Sequence, residues 1–154
     1  MRPEEEIRFL ILGAQREGNR LLTALLAPLG LTPSQAEVVR CLADYAPLSL
    51  KALGGLLVCE SGSPSRLVDT MVGRGIVVRR EDEADRRQVT LELTAEGKAL
   101  DRQVRAIEDG IYTDIGARLG GAGIASALAL LRPLVDNTVS GEAIGRRKAT
   151  AAKG

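Results

Sequence analysis

No histidine and no tryptophan occur among the 154 residues, and aromatic side chains make up only 2% of the chain. Without histidine the chain lacks the usual general base and the commonest metal ligand, which excludes Ser–His and Cys–His nucleophilic arrangements. No catalytic group, cofactor or metal site is therefore expected, and an enzyme is not the reading to pursue. Cysteine is scarce too: Cys41 and Cys59 are the only thiols, too few for a disulfide framework. The net charge is only +1, so nothing global attracts nucleic acid and any basic footprint must be local. No apolar run is read as approaching membrane-spanning length. The opening MRPEEEIRF lacks the basic-then-apolar order of a secretory signal, so a cytoplasmic chain without a membrane partner is expected.

What is present is a globular apolar content of 45%, enough at this length for one domain or for a small DNA-binding lobe with a dimerisation layer. Residues 61–94 organise the rest. On a helical wheel Pro64, Leu67, Val68, Met71 and Val72 fall on one side, and Gly62, Ser65, Arg66, Asp69 and Thr70 on the other. Pro64 is tolerated only in a first turn, so the helix begins at Ser61 or Ser63, either of which can cap it, and Gly75 ends it. Val77 and Val78 then lead into Arg79 and Arg80, a charged turn follows, and Val89, Leu91 and Leu93 alternate with Gln88, Thr90 and Glu92 at the strand period. A short amphipathic helix running into a charged hairpin is the pattern of a winged-helix DNA reader, with Arg86 and Arg87 at the hairpin tip.

Upstream, residues 4–27 form a first helix, opened by Pro3 and three glutamates and ended by Pro28 and Gly30. Its apolar side is wide, with Ile7, Leu10, Leu21 and Leu25 among its members, and calls for a second subunit. Thr32 caps the next helix, whose Ala36, Val39, Leu42 and Ala43 face inward, and Ser49 caps a third holding Leu50, Leu53 and Leu57. This pair supports the reader as a helix-turn-helix requires. After the hairpin, Thr94 caps a long helix to about Leu119. Gly120, Gly121 and Gly123 break it before a last helix through Leu134 and Val135. Residues 140–154 are small, polar and basic, a composition that predicts disorder unless the segment docks on something. The expected fold class is mainly α (α+β). Residues 31–94 form a winged helix-turn-helix domain, residues 1–30 and 95–139 a helical dimerisation bundle, and residues 140–154 a basic C-terminal tail.

The run LVDTMVGRGIVVRREDEADRRQVTLELTAEG resembles the multiple antibiotic resistance regulator (MarR) family. It carries the recognition helix, a wing with a D-x-R element at Asp85 and Arg87, and the L-x-L-T-x-x-G of Leu91, Leu93, Thr94 and Gly97. The resemblance is weaker over LTPSQAEVVRCL and rests only on length and pattern towards the ends. Val58 stands where the family usually has glycine, and Glu60 where it usually has serine or threonine. The resemblance implies a homodimeric transcriptional regulator with element order α-α-α-α-β-β-α-α, and it implies that Asp85 orients Arg87.

Candidate DNA contacts are Ser61, Ser63, Ser65, Arg66 and Thr70 on the helix and Arg86 and Arg87 on the wing, because a free guanidinium suits a guanine edge or a narrow minor groove. Asp69 cannot approach phosphate favourably and reads as a partner for Arg66 or for a wing arginine. Arg16 and Arg20, one turn apart, are candidates for a small anionic or aromatic effector, although surface or intersubunit ion pairs explain them equally well. Cys59, just before the recognition helix, is the candidate redox residue, and Cys41 reads as packing. The expected function is a sequence-specific transcriptional regulator, a repressor that binds a near-palindromic operator in double-stranded DNA as a homodimer and is released by a small ligand or an oxidant. The alternative is a winged-helix protein-interaction module without DNA binding.

Overall fold

The computed structural model describes residues 1–58, 62–81 and 89–151. It separates into two compact units, Met1–Pro33 and Ser34–Gly154. In the first unit, α1 (Pro3–Leu26) carries Glu4, Glu5 and Glu6 in its opening turn, where carboxylates favour the positive helix end. A short 3-10 turn (Ala27–Leu29) ends at Gly30, whose φ of 64° is left-handed. Ile7, Leu10 and Leu21 are exposed on α1.

The second unit holds the remaining elements: α2 (Pro33–Tyr45), α3 (Leu50–Gly54), α4 (Pro64–Gly73), the antiparallel strands β1 (Val77–Glu81) and β2 (Val89–Leu93), α5 (Ala95–Val135) and α6 (Val139–Ala151). Local chemistry accounts for most of the boundaries. Ser49 Oγ accepts the Ala52 N–H at 3.1 Å, and Thr94 Oγ1 accepts the Gly97 N–H at 3.1 Å, so each caps its helix. The strands pair Val77 with Leu93, Arg79 with Leu91 and Glu81 with Val89, and Leu48 adds a bridge to Leu91. The core is apolar and continuous across these elements: Val38, Val39, Leu42, Leu53, Val68, Met71, Ile76, Val77, Leu91 and Val104 are all buried. Their burial is the main force holding α4 and the hairpin to the supporting helices.

Four expectations change. No apolar run of membrane-spanning length is expected, yet Ala95–Val135 is long and apolar enough to cross a membrane by length and composition. The break expected at the glycines is present: within Ala95–Val135, Gly120 is non-helical at φ 63° and ψ 171° and separates two helical stretches. Glycine and alanine fill the break, so division of the sequence at the glycines hides the run. The stretch read as a basic tail is helical from Val139 to Ala151. Val89 keeps the strand alternation yet is 48% exposed, because it lies at the far end of β2 from the core. Ala43 is exposed rather than inward, since the buried side of α2 runs through Val38, Val39 and Leu42.

Candidate DNA-binding surface

α4 is built as its sequence dictates. Val68 and Met71 are buried, and Leu67 and Val72 are half-buried, so this side anchors the helix. Ser65, Arg66, Asp69 and Thr70 are exposed on the other side. Ser63 occupies the N-cap position, as one of the two expected starts, but its side chain makes no capping bond. At the far end the Gly75 N–H reaches the Val72 carbonyl at 2.9 Å and the Ile76 N–H reaches Met71 at 3.0 Å, with Gly75 at φ 72°. This paired closure requires a residue that tolerates the left-handed region, and it fixes the direction in which the chain leaves for β1.

Asp69 bonds Arg79 on β1, which ties the reading helix to the wing strand. The expectation that Asp69 serves an arginine holds, and the partner is on the wing rather than on its own helix. Arg66 consequently takes part in no ion pair among the described residues. Its own carbonyl accepts from Thr70 Oγ1 at 3.0 Å, so the Thr70 hydroxyl proton is committed within the helix while its oxygen can still accept. Arg80 pairs diagonally with Glu92 across the hairpin at 3.3 Å. Of the remaining candidates, Cys59, Ser61, Asp85, Arg86 and Arg87 lie outside the described residues.

Behind this surface are groups that single-residue reasoning missed. Arg40 on α2 donates from Nε to Glu108 and from Nη1 to Asp101, both at 2.9 Å, and lies 3.2 Å from Asp44. Arg105 bonds Asp101 at 2.8 Å and also Asp44. Burial opposes the Arg40 charge, but Asp101, Asp44 and Glu108 outweigh it and raise its pKa, while Asp101 and Asp44 raise that of Arg105. The network fastens α2 to α5. The spacings Arg40/Asp44 and Asp101/Arg105 were visible as i,i+4 pairs, whereas the link between them was not. Glu37, buried on α2, accepts the Val58 N–H at 2.8 Å and a bond from Arg147 of α6. Burial pushes the Cys41 thiol up to about 11, against the pull of Arg147, so Cys41 is protonated and unreactive at neutral pH, consistent with packing.

The effector candidates separate. Arg20 pairs with Glu17 on its own helix at 3.0 Å, with both side chains exposed, and Arg16 lines a hollow of about 370 Å³ with Phe9, Leu12 and Gln15. A larger, more open hollow of about 610 Å³ lies in the other unit, where Tyr45, Leu48, Ala52 and Leu56 give apolar walls and Lys51 and Arg146 line the rest, Arg146 being paired with Glu142 at 3.0 Å.

The profile of the MarR family matches residues 31–89. The winged helix-turn-helix part of the chain thus matches this family. The multiple antibiotic resistance protein MarR of Escherichia coli is 34% identical over 97 residues, which cover 61% of this chain and 65% of that protein. The organic hydroperoxide resistance transcriptional regulator of Bacillus subtilis is 29% identical over 100 residues, covering 65% of this chain and 68% of that protein. The matched segments thus span about two thirds of these curated relatives. A cysteine-to-serine mutant of Escherichia coli MarR complexed with operator DNA superposes with a TM-score of 0.74 at 25% identity, covering 88% of this chain and 99% of that one. The chain has the expected winged-helix fold, its residues 31–89 match the MarR family, and the relatives it resembles are transcriptional regulators, not enzymes.

Proposed function

We propose that this MarR-family chain acts in the cytoplasm as a homodimeric repressor that reads a near-palindromic operator, with α4 in the major groove and the hairpin tip in the minor groove. The observation that carries the reading is the division of labour on α4. Asp69 is neutralised by Arg79, and Arg66 is left on the same open face without an ion pair among the described residues. A guanidinium so placed can bond guanine O6 and N7 together. Ser63, Ser65 and Thr70 line the same face and suit base-edge or phosphate contacts. From their sequence positions, Arg86 and Arg87 are assigned to the minor groove. Dimerisation is supported by the exposed apolar residues of α1 and of α5, where Leu128, Leu130, Leu131 and Leu134 are each at least 47% exposed. In this reading the apolar stretch of α5 meets a second copy of the chain rather than a membrane. For release by a small anionic or aromatic effector there are two candidate sites, the hollow lined by Arg16 and the larger one lined by Lys51 and Arg146, where Arg146 also pairs with Glu142 at 3.0 Å.

The test is selection of bound duplexes from a random pool, followed by titration against salt. Arg66→Ala should cost about 1–3 kcal/mol and relax preference at one mirrored pair of positions. Arg87→Ala should weaken selected and unrelated duplex alike and reduce the salt slope by about 1. If neither substitution changes binding, the chain is an interaction module instead. Equilibrium sedimentation that gives only a 16.3 kDa species would remove the dimer.

A further inference from the structure

The corner between α5 and α6 is a built feature. Asn137 takes a left-handed φ of 60°, Thr138 Oγ1 donates to the Val135 carbonyl at 2.6 Å, and the same oxygen accepts the Gly141 N–H at 3.2 Å. A Cβ on Gly141 would lie 2.1 Å from the Val135 carbonyl oxygen, a backbone atom that cannot step aside. Only glycine lets α6 leave α5 this closely, and the turn seats Ala143 in a fully buried position.

From that seat two adjacent arginines reach one short piece of backbone. Arg146 Nη1 donates to the Gly55 carbonyl at 2.8 Å, and Arg147 Nε donates to the Leu56 carbonyl at 2.8 Å. Gly55 admits the Arg146 guanidinium because a side chain there would collide with it, its Cβ falling 2.5 Å from Nη1. Arg147 Nη2 also bonds Glu37 and lies 3.3 Å from Cys41 Sγ, while the Tyr45 hydroxyl donates to the Arg147 carbonyl at 3.2 Å. The Glu37 oxygen that meets Arg147 is the one that accepts the Val58 N–H. Gly55, Leu56 and Val58 belong to the turn between α3 and α4. Carbonyls at a helix end need partners from elsewhere, and a carboxylate as buried as Glu37 needs a counter-charge; α6 supplies both.

We propose that α6 is a clamp on the helix-turn-helix: when seated, Arg146 and Arg147 fix the turn that presents α4, and when unseated it lowers DNA affinity without unfolding the chain. Arg147 is committed through Nε and Nη2 to protein partners, so its effect on DNA is indirect. The cavity that Arg146 lines gives a small molecule a direct route to this clamp. The inference rests on the DNA-binding reading above, and its test has one arm that needs no DNA.

In a Cys59→Ser background Cys41 is the only thiol, and it lies beneath Arg147, so its rate of maleimide labelling reports the seat of α6. Arg147→Ala and Gly141→Ala should each label roughly tenfold to a hundredfold faster than the parent, the range that loss of a charge-assisted bond implies. Arg147→Lys, which keeps the charge beside Glu37 but cannot also reach Leu56, should fall between. The same variants, checked for retained helicity and assembly, should bind a fluorescein-labelled duplex of random sequence about tenfold more weakly with an unchanged salt slope. Unchanged labelling in both variants overturns the clamp. So does faster labelling with undiminished DNA affinity, or a salt slope reduced by about 1, which would make Arg147 a phosphate contact. A parent protein that binds no duplex at all sinks the DNA-binding reading itself, and with it the clamp's role, whatever the labelling shows.

Discussion

Arg40→Ala tests whether the supporting helix is fastened to α5 by charge. Arg40 donates to Asp101 and Glu108 and lies beside Asp44; Asp101 is only 8% exposed. Hydrogen bonds to charged groups contribute about 1.5–3 kcal/mol each, so three would set a ceiling of roughly 5–9 kcal/mol. Two facts reduce it. Arg105 continues to hold Asp101 and Asp44. Asp44, at 34% side-chain exposure, regains water when Arg40 leaves, and its share must be discounted for screening. What remains is one lost partner for Asp101 and the loss of the Arg40 bond for Glu108, together roughly 2–4 kcal/mol. In a chain of this size that lowers the melting temperature by roughly 5–15 °C. Urea denaturation and calorimetry on Arg40→Ala, Asp101→Asn and the double variant would measure it, and the cycle should return a coupling above about 0.5 kcal/mol because the two groups touch. A loss under about 0.5 kcal/mol for Arg40→Ala, or strict additivity, would mean that the network is solvated and fastens nothing.

Gly97→Ala places a Cβ 2.3 Å from the Ile76 carbonyl oxygen, which already accepts Thr94 N–H at 3.1 Å, and 3.2 Å from Leu93 Cβ. Since the obstacle is backbone, the wing and α5 must part, and calorimetry should show a loss of about 1–3 kcal/mol, with a neutral result refuting the packing at this junction. The Cys41 thiol gives a pH prediction: burial raises its pKa from the ordinary 9.0 to about 11. Below the ordinary value both folded and unfolded thiols are protonated and the fold keeps its full stability; as pH rises through this window the unfolded chain loses its proton first, so stability falls. Denaturation at about pH 8 and about pH 11 should therefore show a smaller drop in Cys41→Ala than in the parent, and equal drops would remove the assignment.

The parts of the fold legible in the sequence are those whose cause is local. The side of α4 that anchors, the glycine that ends it, the Ser49 and Thr94 caps and the strand alternation each depend on residues within a few positions of one another. The network of Arg40 with Asp101 and the clamp of Arg147 on Glu37 join residues 61 and 110 positions apart. No periodicity carries such a pairing. The C-terminal segment misled for a related reason. Its composition offers few apolar side chains, the usual basis for order, yet it is held by one buried alanine and a set of polar bonds to backbone and to a buried carboxylate. A local signal was present in Asn137, Thr138 and Gly141, a left-handed residue, a cap and a glycine in sequence, which marks a corner rather than a tail.

The near-neutral net charge, which counts against a DNA-binding chain when it is taken as a total, has a structural explanation. Several arginines act here as fasteners: Arg40 and Arg105 join α2 to α5, Arg79 joins the wing to α4, Arg80 bridges the hairpin, and Arg147 holds α6. Each is matched by a carboxylate within about 3 Å and contributes little field beyond a Debye length of ~8 Å at physiological salt. What a duplex meets is therefore not the sum but the residue of this pairing. On α4 that residue is Arg66, because the one acidic group on its face is occupied by Arg79. A protein arranged in this way gains little from non-specific attraction and depends on the few cations it leaves open. Its discrimination between sequences should then be large relative to its affinity for DNA in general.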